Sequence, residues 1–186
     1  MIISFTGAGI SKASGIPTFQ EQDGIREKLE RNYAITHKKE FENVIKNMQN
    51  FCEKAEPNDA HLSLAEYKIP IITMNIDKLH EKAGSKNVLN IHGELPNIVL
   101  YGDPAPKYGD AIDIVQRIND KDIFLIIGVS FYTNISVVLK ELAKTCGARI
   151  FIINNKAEEN VRTFLNNNKK YITGETFEEY MNRNYY

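Results

Sequence analysis

Five short stretches of this chain, residues 2–5, 69–73, 98–101, 123–127 and 149–153, are apolar almost without interruption, and polar segments of helix length separate them. A strand with one face in water alternates apolar and polar residues. A strand that does not alternate is covered on both faces, as parallel strands packed between helices are. The pattern predicts an α/β fold: a doubly wound, mostly parallel, Rossmann-like sheet with helices on both sides. Helix signals fall between the runs. Pro57, Asn58 and Asp59 precede Ala60, Leu64 and Ala65 at helical spacing, and 132–145 reads as a helix closed by Gly147.

Residues 20–56 break the alternation, being polar and helix-prone with no strand signal, and Phe41, Val44, Ile45, Met48 and Phe51 recur at helical spacing within them. We read a small helical lid over one edge of the sheet, with that stripe as lid core. The Asn-rich run 166–170 reads as an exposed turn before a last short strand and a terminal helix. At 186 residues the chain is expected to form a single domain, 1–186, with the lid as an insertion.

A formal net charge of −1 leaves no electrostatic footprint for nucleic acid or an anionic membrane surface, so neither is expected as a partner. No run approaches the ~20 apolar residues that cross a bilayer. Cys52 and Cys146 lie far apart without C-x-x-C spacing or a secretory signal, and both read as structural thiols in a reduced, cytoplasmic compartment.

Three segments at predicted strand ends carry chemistry. In M-I-I-S-F-T-G-A-G-I-S-K-A-S-G-I-P-T-F-Q, the first strand runs into Gly7-Ala8-Gly9 and then a helix start, where N–H groups and the helix dipole can hold a diphosphate. A dinucleotide fingerprint would place a third glycine at position 12, which is Lys12; the next is Gly15. By itself this turn is as readily an ordinary strand-to-helix connection. The second segment, T-M-N-I-D-K-L-H, places Asn75 and Asp77 at a strand's carboxyl end, and Asp77 reads equally as the N-cap of the next helix. The third, V-L-N-I-H-G-E-L, places His92 beside Gly93.

In this order the pieces resemble the sirtuin family of NAD-dependent protein deacylases. The matching segments are G-A-G-I-S-K-A-S-G-I-P-T-F-Q, P-N-D-A-H, T-M-N-I-D-K-L-H-E-K-A-G, I-H-G-E-L, I-V-L-Y-G-D-P-A-P, G-V-S-F and I-I-N-N. The resemblance implies an NAD site. Gly7, Ala8, Gly9 and Ile10 would wrap the diphosphate, Gly128, Val129 and Ser130 would complete the phosphate and ribose contacts, and Asn154 with Asn155 would take the adenosine ribose. Phe19, Gln20 and Met74 would border the nicotinamide ribose, and Asn75, Ile76 and Asp77 would hold the carboxamide. His92 would be the general base, with Asn75 and Asp77 completing the catalytic set. In the implied reaction the acyl-lysine carbonyl oxygen attacks the ribose carbon as nicotinamide leaves. The histidine then activates a ribose hydroxyl, and the products are free lysine and an O-acyl-ADP-ribose. An acylated lysine of a protein or peptide would enter beside Phe19, Ile98 and Tyr101, its backbone pairing with a strand edge near Gly102. His61 and His80 read as structural residues that orient loops.

The chain departs from that family in two ways. Where most members carry a ribbon with two C-x-x-C pairs, Gly93-Glu94-Leu95 runs straight into Pro96-Asn97-Ile98, so no zinc site is expected near 94–97. The family's aspartate and arginine after G-I-P are Thr18 and Gln20, its glutamine before N-I-D is Met74, and its threonine of G-T-S is Val129. These changes keep two alternatives open: an NAD glycohydrolase or ADP-ribosyltransferase, and a catalytically weak module that binds NAD or ADP-ribose.

Overall fold

The computed structural model describes residues 1–183. Five parallel strands form the central sheet: β1 (Ile2–Thr6), β2 (Ile71–Thr73), β3 (Val88–Asn90), β6 (Ile123–Ile127) and β7 (Arg149–Ile153), in the order β3-β2-β1-β6-β7. Thr6 pairs with Thr73 on one side of β1, and Ile2 through Thr6 pair with Ile123 through Ile127 on the other. Every residue of β1, β2 and β6 is buried, as unalternating apolar runs require.

The pleat sends neighbours to opposite faces, and each face has its own cover. Ile3, Phe5, Phe124 and Ile126 pack against α6 (Tyr108–Gln116), α7 (Asn134–Thr145) and Tyr180 of α9 (Phe177–Met181). Ile2, Ile71, Leu125 and Ile127 pack against Ala60 and Leu64 of α4 (Asp59–Glu66) and Val161 and Leu165 of α8 (Ala157–Asn167). The chain winds outward from β1 to one side and returns through β6 to the other. This opens a crevice where the carboxyl ends of β1 and β6 diverge.

The segment expected as a lid forms α1 (Ile25–Lys28), α2 (Arg31–Thr36) and α3 (Lys38–Lys54), packed around Ile25, Leu29, Ile45, Ile76 and Leu95. It is fastened to the body where Tyr101 bonds Leu29 and Arg31 through both of its peptide groups, at 3.0 and 2.9 Å, and where the Arg31 guanidinium forks onto Asp103.

Three predicted elements differ from those observed. Residues 98–101 do not form a strand of the parallel sheet: Asn97–Ile98 (β5) pairs antiparallel with Gly93–Glu94 (β4), and the next residues turn toward the lid. The edge position belongs to Val88–Asn90, a run too short and polar to be read as a strand. No strand follows 166–170 among the described residues; Lys169–Tyr171 is a single 3₁₀ turn before α9. The turn after β1 likewise opens a 3₁₀ helix, Ala8–Ser14, where a regular helix start was predicted.

Candidate active site

The crevice is a cavity of about 640 Å3, and its floor is the crossing of the turns after β1 and β6. There the two backbones touch. A Cβ on Gly9 would lie 2.7 Å from the Gly128 Cα, and one on Gly128 would lie 2.3 Å from the Ile10 nitrogen. Gly128 also has φ +63°, a region that side chains disfavour. Gly7, Gly9 and Ile10 direct their amides to the carbonyls of Ile127, Gly128 and Gly7 at 3.0, 2.9 and 3.1 Å, which leaves Ala8 as the amide of this turn not committed to those bonds. The floor is therefore held rigidly by its own hydrogen bonds.

Asn154 fixes the second turn. Its side chain accepts from the Val129 amide and donates to the Val129 carbonyl, both at 3.1 Å. Asn58, the N-cap of α4, ties the P-N-D-A-H segment to the first turn by donating to the Ile10 carbonyl at 2.8 Å and to the Ser14 hydroxyl at 3.0 Å. The loop past Pro17 is pinned by Glu21, which accepts from Lys12 and from the Thr18 hydroxyl and amide. The Lys12 ammonium and these Thr18 bonds hold the exposed Glu21 carboxyl down at about 2.

Most of the residues singled out from sequence line this cavity: Gly7, Ala8, Gly9, Phe19, Gln20, Met74, Asn75, Ile76, Asp77, His92, Tyr101, Gly128, Val129, Ser130 and Asn154. Two do not. Ile10 is fully buried in the core beneath α4, and Asn155 is exposed with its carbonyl accepting from Asn160 at the start of α8. Val129 lines the wall but is 1% exposed, its side chain packed into the core. Of the stripe, Ile45 is core, with Phe41, Val44 and Met48 packed against it as expected, while Val44, Met48 and Phe51, together with Cys52, also line the cavity. Burial pushes the Cys52 thiol up to about 12, so it stays protonated and unreactive at neutral pH. From α1, Arg26 reaches across the opening and stacks its guanidinium 3.8 Å above the Tyr132 ring.

At the deep end, Asp77 faces the cleft, and the N-cap of the short helix α5 (Leu79–Lys82) is Lys78 rather than Asp77. The Asp77 Oδ1 accepts from the Leu79 amide at 2.9 Å, while Oδ2 accepts from the Ser11 hydroxyl at 2.7 Å and from Asn75 Nδ2 at 3.3 Å. Burial raises the Asp77 carboxyl above the usual range, against the pull of those donors.

Behind Ser11 stand the two buried histidines. The Ser11 proton goes to Asp77, so His61 Nε2 donates to Ser11 Oγ at 3.4 Å. The Thr6 proton goes to Thr73 at 2.7 Å, so His80 Nε2 donates to Thr6 at 2.9 Å. Both rings are neutral: burial lowers His61 to about 4 and His80 well below its ordinary value.

This depression has a consequence for stability. The unfolded chain takes up protons on these histidines as pH drops below ~6.5, and the folded chain does not, so stability is full above that value and is lost toward pH 4. For His61 alone the loss is about 2 kcal/mol between pH 7 and pH 5, at ~1.4 kcal/mol per pKa unit. Asp77, shifted upward, acts in the opposite sense, so the His61 contribution is read by difference from His61→Gln. Urea melts at the two pH values should show a weaker dependence in the variant; equal dependence would contradict the assignment.

His92 is half-buried at the end of β3. Its Nδ1 lies 3.2 Å from the Met74 carbonyl and its Nε2 lies 2.7 Å from the Tyr108 hydroxyl. A carbonyl only accepts, so Nδ1 carries the hydrogen and Nε2 presents its lone pair. Burial lowers the imidazole from its ordinary value, and the Met74 carbonyl works against that.

His92 also lines a second cavity of about 410 Å3, together with Phe19, Ile98, Tyr101 and Gly102, the four residues expected to receive a lysine. The strand edge expected near Gly102 is already occupied at Tyr101, whose peptide groups bond the lid. Sequence reasoning missed Ser11 and Tyr108, which sit beside Asp77 and His92. Ser11 had a signal in its place within the G-A-G-I-S segment; Tyr108 had none.

Comparisons with known proteins agree in direction. Residues 7–97 match the model of the Sir2 family. The chain is 30% identical to NAD-dependent protein deacylase 1 of Caldanaerobacter subterraneus subsp. tengcongensis, over 86% of this chain and 83% of that protein. It is 32% identical to an NAD-dependent protein deacetylase of Listeria monocytogenes, over 83% and 85% of the two chains. Among solved structures, a Sir2 homologue in complex with NAD superimposes with a TM-score of 0.83 at 22% identity, covering 92% of this chain and 90% of that one. A Sir2 protein bound to a propionylated peptide superimposes with a TM-score of 0.79 at 24% identity, covering 91% and 93%.

Proposed function

Because this chain belongs to the Sir2 family, the sirtuins, we propose that its cleft removes acyl groups from protein lysines and consumes NAD in doing so. The observation that carries the reading is His92, which stands in the wall common to both cavities with an unprotonated nitrogen. A base so placed can serve two reactants that arrive from opposite sides.

The residues present fit NAD. Glycine at 9 and 128 lets the two turns touch, so the cavity floor is bare backbone that a diphosphate can approach closely. Ser130 and Asn154 stand at the rim, and the Asn75–Asp77 pair lies at the deep end, where its carboxylate and amide can bind a carboxamide. When bound, NAD supplies an ADP-ribosyl carbon from which nicotinamide departs.

In this reading Asp77 and Asn75 orient the nicotinamide end, and Ser11 and the Leu79 amide keep Asp77 in place. Phe19 and Tyr101 guide the lysine stem, and Val44, Met48 and Phe51 exclude water from beneath the lid. His92 Nε2 takes the proton of a ribose hydroxyl, which then captures the acyl group, and the products are nicotinamide, lysine and an O-acyl-ADP-ribose.

We further take the chain as one domain with residues 20–56 as its lid, acting in the cytoplasm on acylated peptides without zinc. Two free cysteines support this, as does the lack, among the described residues, of a helix long and apolar enough to cross a membrane. Mass spectrometry of products formed from NAD and an acetyl-lysine peptide tests the reaction. Equimolar deprotected lysine and O-acetyl-ADP-ribose is the expected result; free ADP-ribose with intact peptide would assign a glycohydrolase instead.

A further inference from the structure

Tyr108 opens α6, away from every motif that defines the cleft, yet its hydroxyl makes one of the shortest side-chain contacts at His92, 2.7 Å from Nε2. The two rings sit 5.7 Å apart at 47°. Tyr108 lines the second cavity and not the nucleotide cavity, so it approaches the base from the lysine side. Burial and the neighbouring Tyr101 raise its phenol above the ordinary value, so it keeps its proton at neutral pH.

We infer that Tyr108 is a positioning residue for the base: it holds the His92 ring with Nε2 toward the shared wall and remains its partner after Nε2 has taken a proton. The inference rests on His92 being the base of the proposed reaction. Met74 fixes the tautomer but not the ring, because one hydrogen bond leaves the imidazole free to swing about it. The Tyr108 hydroxyl supplies the second point.

Its chemistry also suits both states of the ring. Toward the neutral imidazole the hydroxyl donates its O–H to the Nε2 lone pair. Before Nε2 can take a proton, the phenol rotates about its C–O bond and moves its O–H off the lone pair; the ribose hydroxyl then gives its proton to Nε2, and the phenol oxygen accepts the new N–H. No proton leaves Tyr108, and the count at His92 rises by the one that the ribose loses. Hydrogen bonds to charged groups are stronger than those between neutral ones, so this partner favours the imidazolium and offsets the burial that opposes it. The other groups facing this cluster do not compete. Tyr101 is neutral, and Glu94 is engaged by Lys78 at 3.0 Å with Lys107 nearby.

Tyr108→Phe keeps the ring and deletes the hydroxyl. In the protein without ligands, nitrogen-resolved NMR of His92 should show Nδ1–H in the wild type, and the variant should titrate about 0.5–1 unit lower. With NAD and an acyl-lysine peptide, lysine deprotection should fall about tenfold in kcat, while KM for NAD and the exchange of labelled nicotinamide into NAD stay within about twofold. Exchange needs the leaving step but no base, so it also reports that the variant is folded.

An unchanged His92 titration with wild-type kcat would overturn the inference, as would a faster variant, which would mean that Tyr108 blocks the base. Equal loss of exchange and deprotection would reduce Tyr108 to a packing role. If the wild-type protein releases no nicotinamide with peptide present, the proposed function fails, and the titration still decides whether Tyr108 supports the imidazolium.

Discussion

A protein carrying His92→Ala is expected to bind NAD nearly as the wild type does and to deacylate lysine about 10²–10⁴-fold more slowly, the range lost when a general base is removed. The separation follows from geometry. His92 touches the Met74 carbonyl and Tyr108, whereas the floor proposed to face the diphosphate is built from the Gly9–Gly128 crossing, Asn58 and Asn154, none of which bonds His92. Calorimetric NAD binding alongside peptide turnover checks both halves. Retained turnover would remove His92 from its role; lost binding would mean that the ring supports the nucleotide site itself.

The second large effect is expected from Gly128→Ala. The added methyl would stand 2.3 Å from the Ile10 nitrogen and 2.5 Å from the Gly9 carbonyl carbon, and both are backbone atoms held by bonds to Gly7 and Gly128. Nothing there can rotate away. With φ at +63° adding about 1–2 kcal/mol of strain, the turn after β1 must shift, and NAD affinity should fall more than about 100-fold together with a large loss of stability. Gly174→Ala is the matched control. Its φ is +72° but nothing lies within 4 Å, so it should carry the strain and leave NAD binding intact. Thermal melts and NAD titrations of both variants test this. Equal NAD affinity in the two would show that the crossing is not part of the site.

These effects trace back to features of unequal legibility. Strands β1, β2 and β6 could be read because burial on two faces forces apolar runs, and that constraint acts on sequence directly; β7 carries the same apolar run at the sheet edge, where Phe151 and Ile152 are exposed. β3 could not. Three residues ending in Asn90, at the sheet edge, need bury little. The stretch 98–101 has strand composition, but its peptide groups bond the lid and the β4–β5 ribbon, a choice set by tertiary closure.

At the site, identity was readable and direction was not. Asn75, Asp77 and His92 line the cleft, whereas Ile10 turns into the core and Val129 presents apolar atoms to it. A motif records which residue stands at a position, and the face that its side chain takes depends on the local turn. Tyr108 meets His92 only through the packing of α6 on its face of the sheet, and no local pattern encodes that contact.

The central claim, that two cavities meet at one base so that NAD is consumed for an acyl-lysine, is tested most directly by the rate of nicotinamide release with and without an acyl-lysine peptide. The account predicts release that depends on the peptide and matches lysine deprotection mole for mole. Release at the same rate without peptide, or NAD binding with no release in either case, would contradict it.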